Sequence, residues 1–562
     1  MHNYCLVSEK NNCKSCYKCI RYCPTKSISF SGNQASIIQD ECILCGKCYL
    51  VCPQNIKVIR NDLLKVQELL SSKKKVIASI APSFIVEYGI SFAKFKEVLI
   101  KLGFFDAEET ALGATLVKKT YDEMLNKNDK DIVISSCCHS VNLLVQKHYP
   151  ELLPYLADVT SPMVAHAIDI KNRYKDAAVV FIGPCIAKKD EVDKNQQYVD
   201  ACLTFLELNN WLNVNDIEII KEDNPIKIEK SKARLFPTSG GILETMKKEN
   251  KDYSYLVVDG MENVLNALKD IKENRVHKAF IEMSACSGSC INGPAISNEA
   301  RALVANYLKV HKFAGSHDFD TREYEPNYFK KQYNPIIVEK VMPSEQDIQK
   351  CLKKMGKTSK NKELNCGCCG YNTCREKAIA IIEGKAVKEM CLPYLMEKVE
   401  SFSDNIVKNT PNGLMVVNES LNVELINKAM LKIIGLIDAK DVIGKSITTI
   451  FDPEDFINCF NGNETIKGKK EYLAEYDKYV EETLVLDKKF HLIYCVMRDV
   501  TEEEIQKQKK DELVQKSVNI ANKVIDKNMR SVQEIASLLG ETAAETKIAL
   551  NALKETLEDD NK

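Results

Sequence analysis

The sequence predicts a multidomain α/β protein built around thiol-rich sites. Strand-like runs such as VIASIAP, DIVISS and AAVVFIG alternate with amphipathic stretches from about Val76 to Pro343. Three cysteine motifs in that segment each follow a strand-like run. Ser136-Cys137-Cys138 follows Asp131 to Ser135, and Gly183-Pro184-Cys185-Ile186-Ala187-Lys188-Lys189 follows Ala178 to Ile182. Cys286-Ser287-Gly288-Ser289-Cys290 follows Lys278 to Met283. Loops at the C-terminal ends of strands in such folds converge on one crevice, so three of them carrying thiols would build one buried metal site. The remaining cysteines fall mostly in short repeated spacings.

Composition bounds the rest. A chain of 562 residues should hold about three to five domains. An apolar fraction of 45% supports real cores, and a net charge of -1 argues against nucleic-acid or anionic-membrane binding. No apolar run is long enough to span a bilayer. The opening MHNYCLVSEKNNCKSC has no signal-peptide core, so a cytoplasmic location is expected. The 23 cysteines, in C-x-x-C spacings without an export signal, point to iron–sulfur ligation rather than disulfides.

Residues 1–60 repeat one unit: Cys13-x2-Cys16-x2-Cys19-x3-Cys23-Pro24 and Cys42-x2-Cys45-x2-Cys48-x3-Cys52-Pro53. Three thiolates at intervals of three wrap one corner of a cubane, and the cysteine before proline reaches the other cluster. The expected sets are Cys13, Cys16, Cys19 and Cys52, and Cys42, Cys45, Cys48 and Cys23. This is a two-[4Fe-4S] ferredoxin-type domain conducting single electrons, with a zinc ribbon as the alternative. Cys5 is expected to be a free thiol. Residues 61–75 form a linker helix with Leu63, Leu64, Val66, Leu69 and Leu70 on an apolar face, ending at the lysine run 73–75.

Residues 76–343 resemble the H-cluster domain of FeFe-hydrogenases on the three cysteine motifs above. The resemblance implies a 4Fe-4S cluster held by Cys138, Cys185, Cys286 and Cys290. It also implies a di-iron unit with carbon monoxide, cyanide and dithiolate ligands, bridged through Cys290. Lys188 then faces one cyanide. Ser83, after Pro82 in IAPSF, faces the other, and Phe236, before Pro237-Thr-Ser-Gly-Gly241, is an aromatic wall. Routine packing or a solvated charge is the alternative for each of these three. Cys137 corresponds to the residue that carries protons to the di-iron unit. An ordinary thiol pKa of about 8.5 suits that role.

The sequence departs from the efficient enzymes of that family. Gly183 and Ser284 stand where they carry methionine, which implies a roomier and more polar cavity. Leu112 and Leu116 occupy the positions of two proton-path glutamates, Ala157 that of a serine and Met163 that of a glutamine. Apolar side chains pass no protons, so fast turnover by that route is not expected. His139 offers either another proton path or a plain helix start. These changes resemble the sensory FeFe-hydrogenases.

Residues 344–400 resemble an accessory 4Fe-4S module. Cys366, Cys369, Cys374 and Cys391, spaced C-x2-C-x4-C-x16-C, are its expected ligands, and Cys368 is left over. Zinc is the alternative metal. Residues 401–502 resemble a PAS domain through Asn409-Thr-Pro-Asn-Gly-Leu-Met-Val-Val-Asn, Ile426-Asn427 and Arg498-Asp499-Val-Thr-Glu. His491 reads as a structural strand histidine, and no haem is expected.

Residues 503–562 form a helical or coiled-coil tail. Val518, Ala521, Ile525, Val532, Ile535 and Leu539 line one face, suggesting a homodimer; a helical hairpin is the alternative. Gly540 reads as a helix stop, and Thr542-Ala-Ala-Glu545 as a capping box. No output module follows in the sequence.

The expected function is a cytoplasmic dihydrogen sensor of low turnover. It would exchange electrons with a carrier such as ferredoxin and signal to a separate phosphatase or kinase. The alternatives are a metabolic ferredoxin-linked hydrogenase and a non-catalytic iron–sulfur protein without the di-iron unit.

Overall fold

Two antiparallel pairs frame the N-terminal cysteines. Strand β1 (Leu6–Ser8) pairs with β4 (Lys57–Ile59), and β2 (Ile28–Ser31) with β3 (Gln34–Ile37). Both cysteine loops use the same backbone. Ser15 and Leu44 precede the second cysteine of each, and Tyr17 and Gly46 follow it. All four take left-handed φ, at 52°, 56°, 55° and 73°. Each loop then enters a short helix, Lys18–Tyr22 or Lys47–Leu50, that carries the third cysteine. Leu6, Ile20, Ile28 and Ile43 are buried in one apolar cluster with Ile132, Ile281 and Met283 of the central segment. The N-terminal segment therefore has no core of its own.

The computed structural model describes residues 4–9, 12–72, 74–222, 225–226, 228–325, 327–339, 342–462 and 465–559. It divides into two compact units, Met1–Leu395 and Met396–Lys562. Lys73 of the expected lysine run and residues 560–562 of the expected tail lie outside the described residues. The linker helix spans Leu63–Ser71, shorter than the run expected, because Ser72 turns extended.

The central segment holds two parallel sheets. In the larger, β6 (Asp106–Glu109), β5 (Val76–Ile80), β8 (Ala178–Gly183) and β9 (Ala201–Thr204) lie side by side in that order. In the smaller the order is β10 (Ser254–Asp259), β11 (Ala279–Ser284) and β7 (Ile132–Ile134). Strands β5, β7, β8, β9 and β11 are buried along their whole length. That is how a parallel sheet covered on both faces reads in sequence. The thiol motifs leave β7 and β11 of the smaller sheet and β8 of the larger. The crevice they form therefore lies between two sheets rather than at the end of one.

Next comes a small helical module. Its helices Glu345–Lys354 and Cys374–Ile382 pack through Ile348, Cys351, Leu352, Met355 and Ala378. It docks on the N-terminal segment. Arg21 donates to Cys368 O at 3.2 Å and Lys26 Nζ to Gly370 O at 3.0 Å. Phe30 N donates to Lys385 O at 2.8 Å. Helix Leu392–Asn409 begins directly after Cys391.

In the second unit, β12 (Gly413–Asn418), β13 (Val423–Ile426), β14 (Ile466–Leu473), β15 (Lys478–Asp487) and β16 (Leu492–Asp499) form one antiparallel sheet. Its order is β13-β12-β16-β15-β14. Met415, Val417, Leu484, Ile493 and Cys495 face its core. His491 lies in the turn between β15 and β16, exposed and with φ 52°, not on a strand as expected.

Helix Thr501–Asp559 runs unbroken through Gly540 and Thr542, correcting the expected stop and capping box. The Thr542 hydroxyl donates back to Leu538 O at 2.7 Å instead of capping a new helix. A glycine ends a helix when it turns left-handed, and Gly540 does not. A hairpin of two helices is likewise absent among the described residues.

Candidate metal centres

Four cavities each gather at least four thiols. The first is lined by Cys13, Cys16, Cys19 and Cys52. The second is lined by Cys23, Cys42, Cys45 and Cys48. The two cysteines before proline therefore cross between the repeats. The third is lined by Cys138, Cys185, Cys286 and Cys290, from both central sheets, and by Cys45. The fourth is lined by Cys366, Cys369, Cys374 and Cys391. Cys368 is exposed and does not line it. Cys5 is a buried free thiol.

The second and third cavities share a wall. Leu44 lines the third, and Cys45 lines both the second and the third. Gly46 makes this approach possible: a Cβ there would stand 2.5 Å from Pro294 Cβ, on the wall of the third cavity. Its counterpart in the first repeat is Tyr17. The fourth cavity meets the N-terminal pair through two tyrosines. Tyr17 lines the first cavity within electrostatic reach of Cys369, and Tyr371 lines the fourth within reach of Cys23.

The donor chemistry fits iron–sulfur clusters. None of the cysteines lining these cavities is in a disulfide, and soft sulfur is what such clusters take. Burial pushes several of these thiols up, Cys42 and Cys185 to about 11, and Cys45 and Cys290 to about 12. Cluster loading must therefore release protons.

Beyond the third cavity, Cys137 and Phe236 belong to one apolar cluster. Lys188 Nζ donates to Cys137 O at 3.3 Å and pairs with Glu191 Oε2 at 2.5 Å. Burial raises the Glu191 carboxyl, but Lys188, with His139 and Lys331 further off, pulls it down to about 2. Lys188 is thus committed to a carboxylate, a role its sequence motif did not show. An acid three residues on was the available signal. Pro82 and Ser83 are buried, and the Ser83 hydroxyl has no hydrogen-bond partner. No hydrogen bond ties it to Lys188 or Cys137. The orphaned Ser83 hydroxyl and the Lys188 ammonium are hydrogen-bond donors of the kind a cyanide-bearing di-iron unit would take.

Three expectations change here. Gly183 does not open the cavity: a Cβ there would lie 2.8 Å from the Phe181 ring, which fills the space. Cys137 does not titrate like an ordinary thiol. Burial pushes it up to about 12, against the lowering effect of Tyr121, whose hydroxyl lies 3.3 Å away. His139 is not free: its Nε2 lies 2.6 Å from Asp190, so it is anchored at the helix start. Leu116, Ala157 and Met163 are buried, and Leu112 is half-buried.

Comparison with known proteins bears on the class. Residues 74–294 match the family model "Iron only hydrogenase large subunit, C-terminal domain", and residues 5–53 match "4Fe-4S dicluster domain". Residues 363–393 match "Putative Fe-S cluster", and residues 411–502 match "PAS domain". The chain is FeFe-hydrogenase-like, with iron–sulfur domains and a PAS domain.

Iron hydrogenase 1 of Clostridium pasteurianum is 25% identical over 372 residues, 51% of this chain and 64% of that protein. The periplasmic [Fe] hydrogenase large subunit of Nitratidesulfovibrio vulgaris is 27% identical over 355 residues, 51% of this chain and 84% of that protein. The cytosolic Fe-S cluster assembly factor NAR1 of Yarrowia lipolytica is 22% identical over 364 residues, 46% of this chain and 74% of that protein. A solved variant of [FeFe]-hydrogenase HydA1 from Chlamydomonas reinhardtii is 16% identical, with a TM-score of 0.40. It covers 50% of this chain and 100% of its own.

Proposed function

We propose that this chain is a dihydrogen sensor that binds and slowly splits H2 and passes a redox signal to its PAS domain. The observation that carries it is the shared wall of the second and third cavities, together with the accessory module docked on the N-terminal segment. Cys45 borders the central one, and Tyr17 and Tyr371 link the N-terminal pair to the accessory one.

Cys138, Cys185, Cys286 and Cys290 would hold the H-cluster cubane, and the di-iron unit would supply heterolytic H2 chemistry when bound. Ser83 and Lys188 would orient that unit through hydrogen bonds, and Phe236 would keep water from it. Cys137 holds its proton tightly, with Tyr121 beside it. Leu112 and Leu116 give no onward relay, so proton exit is slow. That restriction supports a sensing role over bulk gas conversion. The sequence run from Cys391 into helix Leu392–Asn409 and then β12 supplies a covalent path from the accessory module to the PAS domain.

The expected partners are dihydrogen, a ferredoxin-like electron carrier and a separate phosphatase or kinase. A second copy of the chain would pair through the C-terminal helix. No helix among the described residues is long and apolar enough to cross a membrane, and a cytoplasmic location is part of the proposal.

Infrared spectra and H2 turnover of the maturase-loaded protein test this. Carbon monoxide and cyanide bands with slow turnover are expected. Fast turnover would favour a metabolic hydrogenase, a reading the Clostridium relative supports. Absence of those bands would favour a non-catalytic iron–sulfur protein, which the similarity to NAR1 supports.

A further inference from the structure

Lys377 is fully buried, and its ammonium has no hydrogen-bond acceptor. Among the described residues it is the one lysine ammonium in that position. A buried charge without a partner is costly, so such charges are normally paired. Lys377 lies three residues after Cys374 on helix Cys374–Ile382, and both line the fourth cavity. Residues so spaced share a helix face. Tyr371 lines the same cavity, 3% exposed, and its hydroxyl also lacks a partner. The Lys377 ammonium lies 5.9 Å from the Tyr371 ring centre, at the outer edge of a cation–π contact, which offers it no hydrogen-bond acceptor.

Two orphaned donors thus share a cavity with four thiols, and no carboxylate lines it. The missing partner is an anion the cavity itself would hold. A 4Fe-4S cluster on four thiolates is a dianion when oxidised and a trianion when reduced. Hydrogen bonds to its sulfurs and nearby charge set its potential. A cation favours the trianion more than the dianion.

We propose that Lys377, seconded by the Tyr371 hydroxyl, compensates the charge of the cluster on Cys366, Cys369, Cys374 and Cys391. It thereby raises that cluster's reduction potential and retains the electron there. One electron arrives as a neighbouring cluster loses one. The proposal rests on the iron–sulfur reading of this module and not on the dihydrogen chemistry. Lys377 is a tuning residue, not a ligand.

The test uses the iron-loaded full chain. The low-temperature EPR signal lost in Cys374→Ala identifies this cluster, and a redox titration gives its midpoint. Lys377→Met should cut the reduced-to-oxidised ratio at least tenfold at fixed potential, a shift of about 59 mV for one electron. Lys377→Arg should restore most of it. An unchanged midpoint in Lys377→Met overturns the proposal. If that variant does not hold its cluster, the native chain decides through pulsed ENDOR after exchange into D2O. Exchangeable protons coupled to this cluster, weakened in Tyr371→Phe, support it, and their absence overturns it. Zinc instead of iron in this module also overturns it. None of these measurements involves H2, so the sensing proposal can fail separately.

Discussion

Gly46 shows how one atom sets the spacing of two centres. Its φ of 73° is strained for any other residue, and its missing Cβ leaves room for Pro294. Gly46→Ala should lower stability by about 1–3 kcal/mol, read as earlier thermal bleaching of the cluster absorbance. Unchanged bleaching would mean that the two segments are not held this closely. Arg234 and Glu109 make a second single-residue case. Their buried pair has Nε to Oε2 at 2.8 Å and Nη2 to Oε1 at 2.5 Å, with the guanidinium 3.8 Å from the Phe313 ring centre. Glu109→Gln leaves a buried cation short of its partner and should cost about 3–5 kcal/mol. Chemical denaturation followed through the central segment would measure it.

At the scale of elements, Asn427 ties four pieces of the PAS domain together. Its Oδ1 accepts from Leu414 N at 2.9 Å and Met430 N at 2.8 Å. Its Nδ2 donates to Val407 O at 3.1 Å, at the end of the incoming helix, and to Asn412 O at 2.9 Å. Asn427→Ala should destabilise the domain by about 1–3 kcal/mol and speed amide exchange in β12.

The β6 end carries a pH-sensitive pairing. Burial raises the Glu108 carboxyl, but His166 and Arg173 hold it down to about 2, against an ordinary 4.5. A depressed folded pKa gives stability above the ordinary value that is lost as pH falls toward the folded one. Acid unfolding should therefore steepen between those two values, and Glu108→Gln should flatten it.

At the scale of the molecule, helix Thr501–Asp559 exposes Val518, Ile525, Val532, Ile535 and Leu539 along its length. Helices with such a seam pair with another helix. Removal of residues 503–562 should turn a dimer into a monomer in light scattering. A full-length monomer would remove the seam's proposed role. The N-terminal and accessory groups were largely legible because ligand spacing is local: C-x2-C-x2-C brings three thiols together and C-x2-C-x4-C-x16-C brings four, whereas the grouping of Cys138, Cys185, Cys286 and Cys290 was expected only from the family resemblance. The crossing of Cys23 and Cys52 was legible from a different signal, the Cys-Pro pair that closes each repeat and reaches the other cluster. Gly540 and Thr542 misled, since each signals a helix end only when the backbone leaves the helix, and neither does.

The sequence by itself determined which thiols of the N-terminal repeats and the accessory module stand close together and where the central strands run, because these follow from local spacing and hydrophobic period. Only the tertiary structure decided how the groups adjoin and what surrounds them. Phe181 filling the space beside Gly183, Glu191 claiming Lys188, the thiol of Cys137 driven up by burial and the orphaned ammonium of Lys377 all arise from through-space contacts. A contact between residues far apart in the chain leaves no periodic mark in it, so burial and pairing emerge only when the segments pack.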